Sequence, residues 1–495
     1  MTLTRRDLLK LAGLVTAVAG LSGCSSLGEL LAAEPRARAA SGEFVGSTEE
    51  YRRLARLSYG PTPAERARVA EIGLGAWLEE QLAYQSVSDR RPQLRWRHLD
   101  IVSLEANALA ARGRREVTQA LKRTTLLRRI YSHRQLYEVM VEFWTDHFNI
   151  SLDKGDGWYL KVVDDREVIR KHALGNFREL LHASAASPAM LVYLDNQANR
   201  REAPNENYAR ELMELHTLGV HGGYDQRDVM ELARCLTGWT VKKHFWLGEF
   251  RFDPERHDSG EKRVLGRVIP AAGVHEAEEV LDLLATHPST AQHLAGKLVR
   301  RFLTDDPEGQ APELVERAAQ AFLASEGDIR ALLRVVLYDG LLARSPLPAK
   351  FKRPAHFVIS ALRPLAAASD GGEGVQEVIA QLGQPLFGWP TPDGPPDTAG
   401  AWSRALLHRW RFALALARNE LPGSELDLDR LLAAAGGGRP AEVMDHLGTL
   451  LLGAPLPQVA RDDFLRALEQ TDAAAEELPA LALAGLIASP AFQWT

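Results

Sequence analysis

Apolar positions recur every three to four residues along most of this chain, the period of a helix with one face turned to a core. The pattern predicts helices over residues 63–84, 115–149, 165–183, 205–217, 225–237, 275–285, 288–303, 312–324, 328–338 and 353–366. Residues 425–495 carry an Ala- and Leu-rich helical pattern, broken at Gly436-Gly437-Gly438. Strand-like alternation is confined to Phe250-Arg251-Phe252 and to Val264-Leu265-Gly266 with Val268-Ile269, enough for a small hairpin at most. Residues 371–374 read as a loop. Residues 383–397 hold five prolines and read as a long ordered loop or lid. No linker divides these segments. The expected fold is mainly α, one large multi-helical domain over residues 48–495, with Ser47 to Glu50 in capping-box spacing at its start.

The most patterned stretch runs from Pro204 to Gly219. Pro204 suits a helix start, Glu206 lies in the favourable first turn, and Gly219 follows the last turn. At 100° per residue, Glu206, Asn207, Arg210, Glu211 and Glu214 share one face, while Tyr208, Ala209, Leu212, Leu215 and His216 share the other. Either the charged face is solvated and laced by i,i+4 pairs, or it lines an internal site that presents Glu211 and Glu214 together.

The N-terminus breaks the helical reading. Thr4-Arg5-Arg6-Asp7-Leu8-Leu9-Lys10 matches the twin-arginine export pattern, and the apolar run Leu11–Leu21 is too short to span a membrane. Leu21-Ser22-Gly23-Cys24 resembles a lipoprotein processing box. Residues 1–23 are thus expected to be a signal peptide, Cys24 the lipidated residue, and residues 24–47 a flexible tether. The expected location is the cell envelope, anchored in the membrane by lipid, with Ser25 favouring the outer membrane. With Cys24 lipidated, Cys235 is left without a partner and reads as a buried thiol. The composition, 45% apolar and 25% charged, is that of an ordinary globular domain. A net charge of −6 without a basic tract makes nucleic acid an unexpected partner.

Several segments carry a family resemblance: Arg56–Glu65, Phe143–Asn149, His172–Phe177, Pro188–Asn196, Pro204–Tyr224, Leu236–Trp239, Phe250–Gly260, Lys352-Arg353-Pro354 and Leu382–Asp397. Together they resemble the bacterial family called "domain of unknown function 1800" across nearly all of residues 49–494. The resemblance implies a mostly helical, usually exported protein without an assigned activity. It also implies a sulfatase-like protein as a neighbour. The family pattern after Phe143-Trp144 often has a second histidine and an asparagine, where this chain has Thr145 and Asp146.

Candidate chemistry gathers in three places. His147 ends an apolar stripe with Leu136, Met140 and Phe143, while Glu138, Glu142 and Asp146 step along another face. His216 ends the Pro204 helix in the same way. His257-Asp258 follows the strand candidate in a turn-rich loop, where Asp258 can orient the histidine beside it. One site is expected between these three elements. Its catalytic candidates are His147, Glu211, His257 and Asp258, and its substrate-binding candidates are Asn205, Asn207, Arg210 and Trp144. No standard metal or nucleophile motif is present. A divalent metal ion, with Glu214 and His216 as candidate ligands, is the one cofactor left open, although an ideal helix places His216 about 140° from Glu211. Two functions follow. One is a metal-dependent hydrolase acting on an envelope or extracellular polymer. The other is a non-catalytic envelope lipoprotein that binds polysaccharide or scaffolds a sulfatase-like partner.

Overall fold

The computed structural model describes residues 48–242, 248–436, 439–471 and 473–495. The expected signal peptide, tether and Cys24 lie outside the described residues. Helices take up 62% of the described residues against short strand pairs, so the fold is mainly α. One hydrophobic cluster runs from Leu54 to Phe492 and includes Cys235, a free and buried thiol. No helix among the described residues is long and apolar enough to cross a membrane.

Five helices frame the region of interest: α1 (Gln135–His147), α2 (Glu206–Glu211), α3 (Gln226–Cys235), α4 (Val274–Ala285) and α5 (Pro288–Phe302). Their starts follow local chemistry. Asp225 and Asp228 form a capping box at the head of α3, and Pro288 occupies the first turn of α5, where a missing N–H costs least. The helix expected over residues 115–149 is two. It breaks after Tyr131, where Asp89, distant in sequence, accepts from the Ser132 hydroxyl at 2.6 Å and the His133 N–H at 2.7 Å and so holds the residues between the two helices. Thr48 caps the first described helix, accepting from the Tyr51 N–H, and Ser47 lies outside the described residues. Residues 63–84 divide at Gly73, whose φ of +83° no helix accepts.

The Pro204 helix also departs from the ideal. Asn205 is its cap, accepting from the Asn207 N–H, and Pro204 stands just before it. The last turn, Leu212–His216, is a π-turn, wider than an α-turn. The chain then leaves through Gly219 at φ +81°.

Three two-stranded antiparallel pairs are described where one hairpin was expected. β1 (Trp239–Val241) pairs with β2 (Phe250–Phe252), Trp239 opposite Phe252. β3 (Lys262–Val264) pairs with β4 (Arg267–Ile269). Their connecting residues, Leu265 and Gly266, both have positive φ, as a tight hairpin turn demands. β5 (Ala368–Ser369) pairs with β6 (Ser424–Glu425). Strands of two or three residues leave almost no alternation to read in a sequence.

Candidate functional site

α1 is buried on nearly every side. Leu136, Met140 and His147 are at most 1% exposed, and so is Glu142 on the acidic face. That acidic stripe is paired residue by residue. Glu138 accepts two bonds from Arg170 at 3.0 and 3.1 Å. Glu142 accepts from Arg129 at 3.0 Å and from Arg301 at 2.7 Å, and Asp146 accepts from Arg353 at 2.5 Å. The arginines hold the Glu142 carboxyl well below its usual range despite burial.

His147, the last residue of α1, meets different company. Its Nε2 lies 3.1 Å from the His216 carbonyl oxygen. A carbonyl only accepts, so Nε2 carries the hydrogen and Nδ1 is left as an acceptor. Lys297 Nζ donates to that Nδ1 at 2.9 Å. The His216 ring stacks obliquely on Phe148, 5.0 Å away between centroids, and is fully buried with both nitrogens unpartnered. His293, one turn before Lys297 on α5, bonds the Leu215 carbonyl at 3.1 Å. The His147 ring lies 6.0 Å from His216 and 6.3 Å from His293.

Burial keeps all three imidazoles neutral. It holds His147 well below the usual range, with Lys297 adding to the effect, and takes His216 to about 3 and His293 to about 4. Burial also pulls the Lys297 ammonium down to about 8, although Asp146, Asp393 and Asp397 oppose this. No carboxylate forms an ion pair with Lys297 among the described residues.

The proline-rich segment 383–397 covers this cluster. Asn149 donates to the Trp389 and Thr391 carbonyls at 3.1 and 2.8 Å, and Tyr193 donates to the Pro390 carbonyl at 2.9 Å. Gly394, at φ +72°, presses against the Asp146 backbone so closely that any Cβ would overlap its carbonyl oxygen. Glu211 faces the loop from α2. Burial raises its pKa, and Glu214 and Asp393 raise it further.

The structure therefore brings His147, His216 and the Pro204 helix together, with Glu211 at the margin. The π-turn absorbs one residue's rotation and cuts the angle between Glu211 and His216 from about 140° to roughly 40°. His257 and Asp258 take other partners. His257 Nδ1 lies 2.9 Å from the Thr237 carbonyl and Nε2 lies 3.1 Å from Glu276 on α4. Asp258 does not orient His257. It accepts from Arg234 at 2.7 and 3.2 Å, which draws its carboxyl down to about 2. Glu276 also pairs with the buried Lys262, so this second network ties β3 to α4.

Other expected binding residues serve the fold. Trp144 is fully buried and gives its indole N–H to the Ala173 carbonyl at 2.9 Å, out of a substrate's reach. Asn205 is spent as a helix cap, and Asn207 donates to the Leu194 carbonyl at 3.1 Å. Arg210 pairs with Glu206 at 3.1 Å and Glu214 at 3.4 Å, the solvated i,i+4 ladder. A metal does not fit Glu214 and His216. Among the described residues no group of three or more His, Cys, Asp or Glu side chains can hold an ion, and Arg210 engages Glu214. Sequence reasoning missed His293 and Lys297. Their i,i+4 spacing between Leu294, Ala295 and Leu298 was the available signal, but it reads as the polar edge of an ordinary amphipathic helix.

A family model described as a protein of unknown function, DUF1800, matches residues 52–494, and the chain belongs to that family. No curated protein and no solved structure matches it.

Proposed function

We propose, with that membership as the premise, that the protein is exported, held in the cell envelope by lipid on Cys24, and hydrolyses an envelope or extracellular polymer at the centre beneath residues 383–397. One observation carries this reading: His147, fixed in one tautomer, accepts from an amine that has no carboxylate partner, beside an imidazole whose two nitrogens are free. A neutral base, an amine that titrates near neutrality and a carboxyl of raised pKa at Glu211 make an acid–base set, and such sets mark working sites more often than scaffolds. The donor set supports acid–base rather than metal-assisted chemistry. His147 would take or return a proton at Nδ1, and Glu211 would act at the mouth.

The closure of residues 383–397 over the cluster favours a second reading, a non-catalytic envelope lipoprotein that binds polysaccharide or a sulfatase-like partner. Three measurements decide between them: membrane fractionation of Cys24→Ala, turnover of a panel of envelope polymers, and the melting temperature of His147→Ala and Glu211→Gln. The hydrolase reading expects release or an unprocessed precursor for the first, and lost turnover with little change in melting for the others. Absence of turnover by the wild type across the panel, with both variants melting lower, favours the scaffold.

A further inference from the structure

The Lys297 amine has an unusual set of neighbours. It sits on α5 among Leu294, Leu298 and other buried residues, yet keeps part of its surface open. Among the described residues its hydrogen-bond partner is a neutral imidazole nitrogen. Three other buried lysines have carboxylate partners, Lys161 with Asp164 at 2.7 Å, Lys350 with Asp305 at 2.7 Å and Lys262 with Glu276, whereas the buried Lys352 ammonium lies over the Phe492 ring, 3.4 Å from its centroid. An ammonium placed against an imidazole without a counter-ion loses its proton readily. In the neutral amine one N–H still donates to His147 Nδ1, so the lone pair is turned away from the ring. Of the charges that act on the amine, Asp146, Asp393 and Asp397 outnumber Arg300, so its surroundings disfavour anions.

We infer that Lys297 Nζ captures a carbonyl compound as an imine, and that its ligand is a neutral hydroxy-aldehyde or hydroxy-ketone such as the open-chain reducing end of a sugar. This rests on the reading of the cluster as a working centre, though not on hydrolysis. The amine lone pair attacks the carbonyl carbon, a C–N bond forms and the C–O π bond breaks. His147 Nδ1 accepts the proton the amine sheds and returns it to the oxygen, giving a carbinolamine. Loss of that hydroxyl as water, with one further proton taken from solvent, leaves the protonated imine, so one carbonyl and one proton are consumed and one water released. Nothing is oxidised or reduced until a trapping reagent is added.

The test uses the whole protein with glycolaldehyde as the probe and cyanoborohydride as the trap, near neutral pH, with peptide mapping of every lysine. Lys297 should be trapped at least about tenfold faster than exposed Lys171, since its amine is neutral far more of the time. Anionic glyoxylate should lose most of that advantage at Lys297 while still labelling Lys171. Lys297→Arg should abolish the fast adduct and leave the slow ones. Trapping of Lys297 no faster than Lys171 overturns the inference. Polymer turnover without fast trapping would remove this inference alone. Fast trapping without turnover of any polymer would remove the hydrolase reading and leave this one standing.

Discussion

Two sets of polar groups are buried around the same helix and treated in opposite ways. Along one face of α1, Glu138, Glu142 and Asp146 each meet an arginine from a distant segment. At its C-terminal end, His147, His216, His293 and Lys297 gather with one shared contact, two carbonyl bonds and two idle nitrogens. The first set is compensated charge, costly to bury but costlier to break. The second is a group of bases kept neutral by burial and left underused. Complete pairing is what structure needs, and incomplete pairing on a rigid frame is what chemistry needs.

The sharpest way to break this comparison is Glu142→Ala. It strands Arg129 and Arg301 in the core and should cost about 3–5 kcal/mol in chemical denaturation. A loss under about 1 kcal/mol would mean the arginine face is not structural. Next comes acid sensitivity at the other set. Native His216 sits at about 3 and the unfolded residue near 6.5, so the unfolded chain gains a proton that the native ring refuses. Stability present above pH 6.5 is lost as pH falls toward 3, by up to about 5 kcal/mol for this residue. His216→Phe should flatten that acid limb in urea titrations at several pH values. An unchanged slope would show that His216 is not the proton-refusing group.

Lys297 has the opposite window. Its native value is about 8 against about 10.5 for a lysine in the unfolded chain, so the unfolded chain holds a proton between those values that the native state has released. Stability therefore rises with pH across that interval, and below it the cost is constant. Lys297→Met should stabilise the protein at pH 7 by about 1–2 kcal/mol, discounted for partial exposure, and the gain should fade by pH 10.5. A loss of stability would place Lys297 with the paired set. The smallest effect belongs to Arg210→Ala. Its pairs with Glu206 and Glu214 are half-exposed and should be worth no more than about 0.5 kcal/mol each in thermal melts.

The helices were legible in the sequence because each buries a stripe of apolar residues, and residues 312–324 match to the residue. The break at Ser132 was not, since the carboxylate that holds it is Asp89, more than forty positions away. The histidine at the end of α1 was visible as the end of an apolar stripe. Its partner Lys297 was not, because a helical pattern records which face is polar and not whether that face meets water. Glu142 shows the same limit: its two buried arginines, Arg129 and Arg301, arrive from separate segments. His257-Asp258 misled for the converse reason. Adjacency in sequence suggested a dyad, but in a turn neighbouring side chains diverge, one toward Glu276 and the other toward Arg234.

The π-turn at Leu212–His216 makes chain length a functional quantity. A wide turn of this kind is how a helix stores an inserted residue that it cannot expel. Removing one residue there would restore an ordinary helix and rotate all that follows by about 100°, swinging His216 off His147 and the Gly219 exit off His293. A deletion in this stretch would disable the cluster while every side chain proposed to act kept its identity, so the count of residues between Glu211 and Gly219 is itself part of the site.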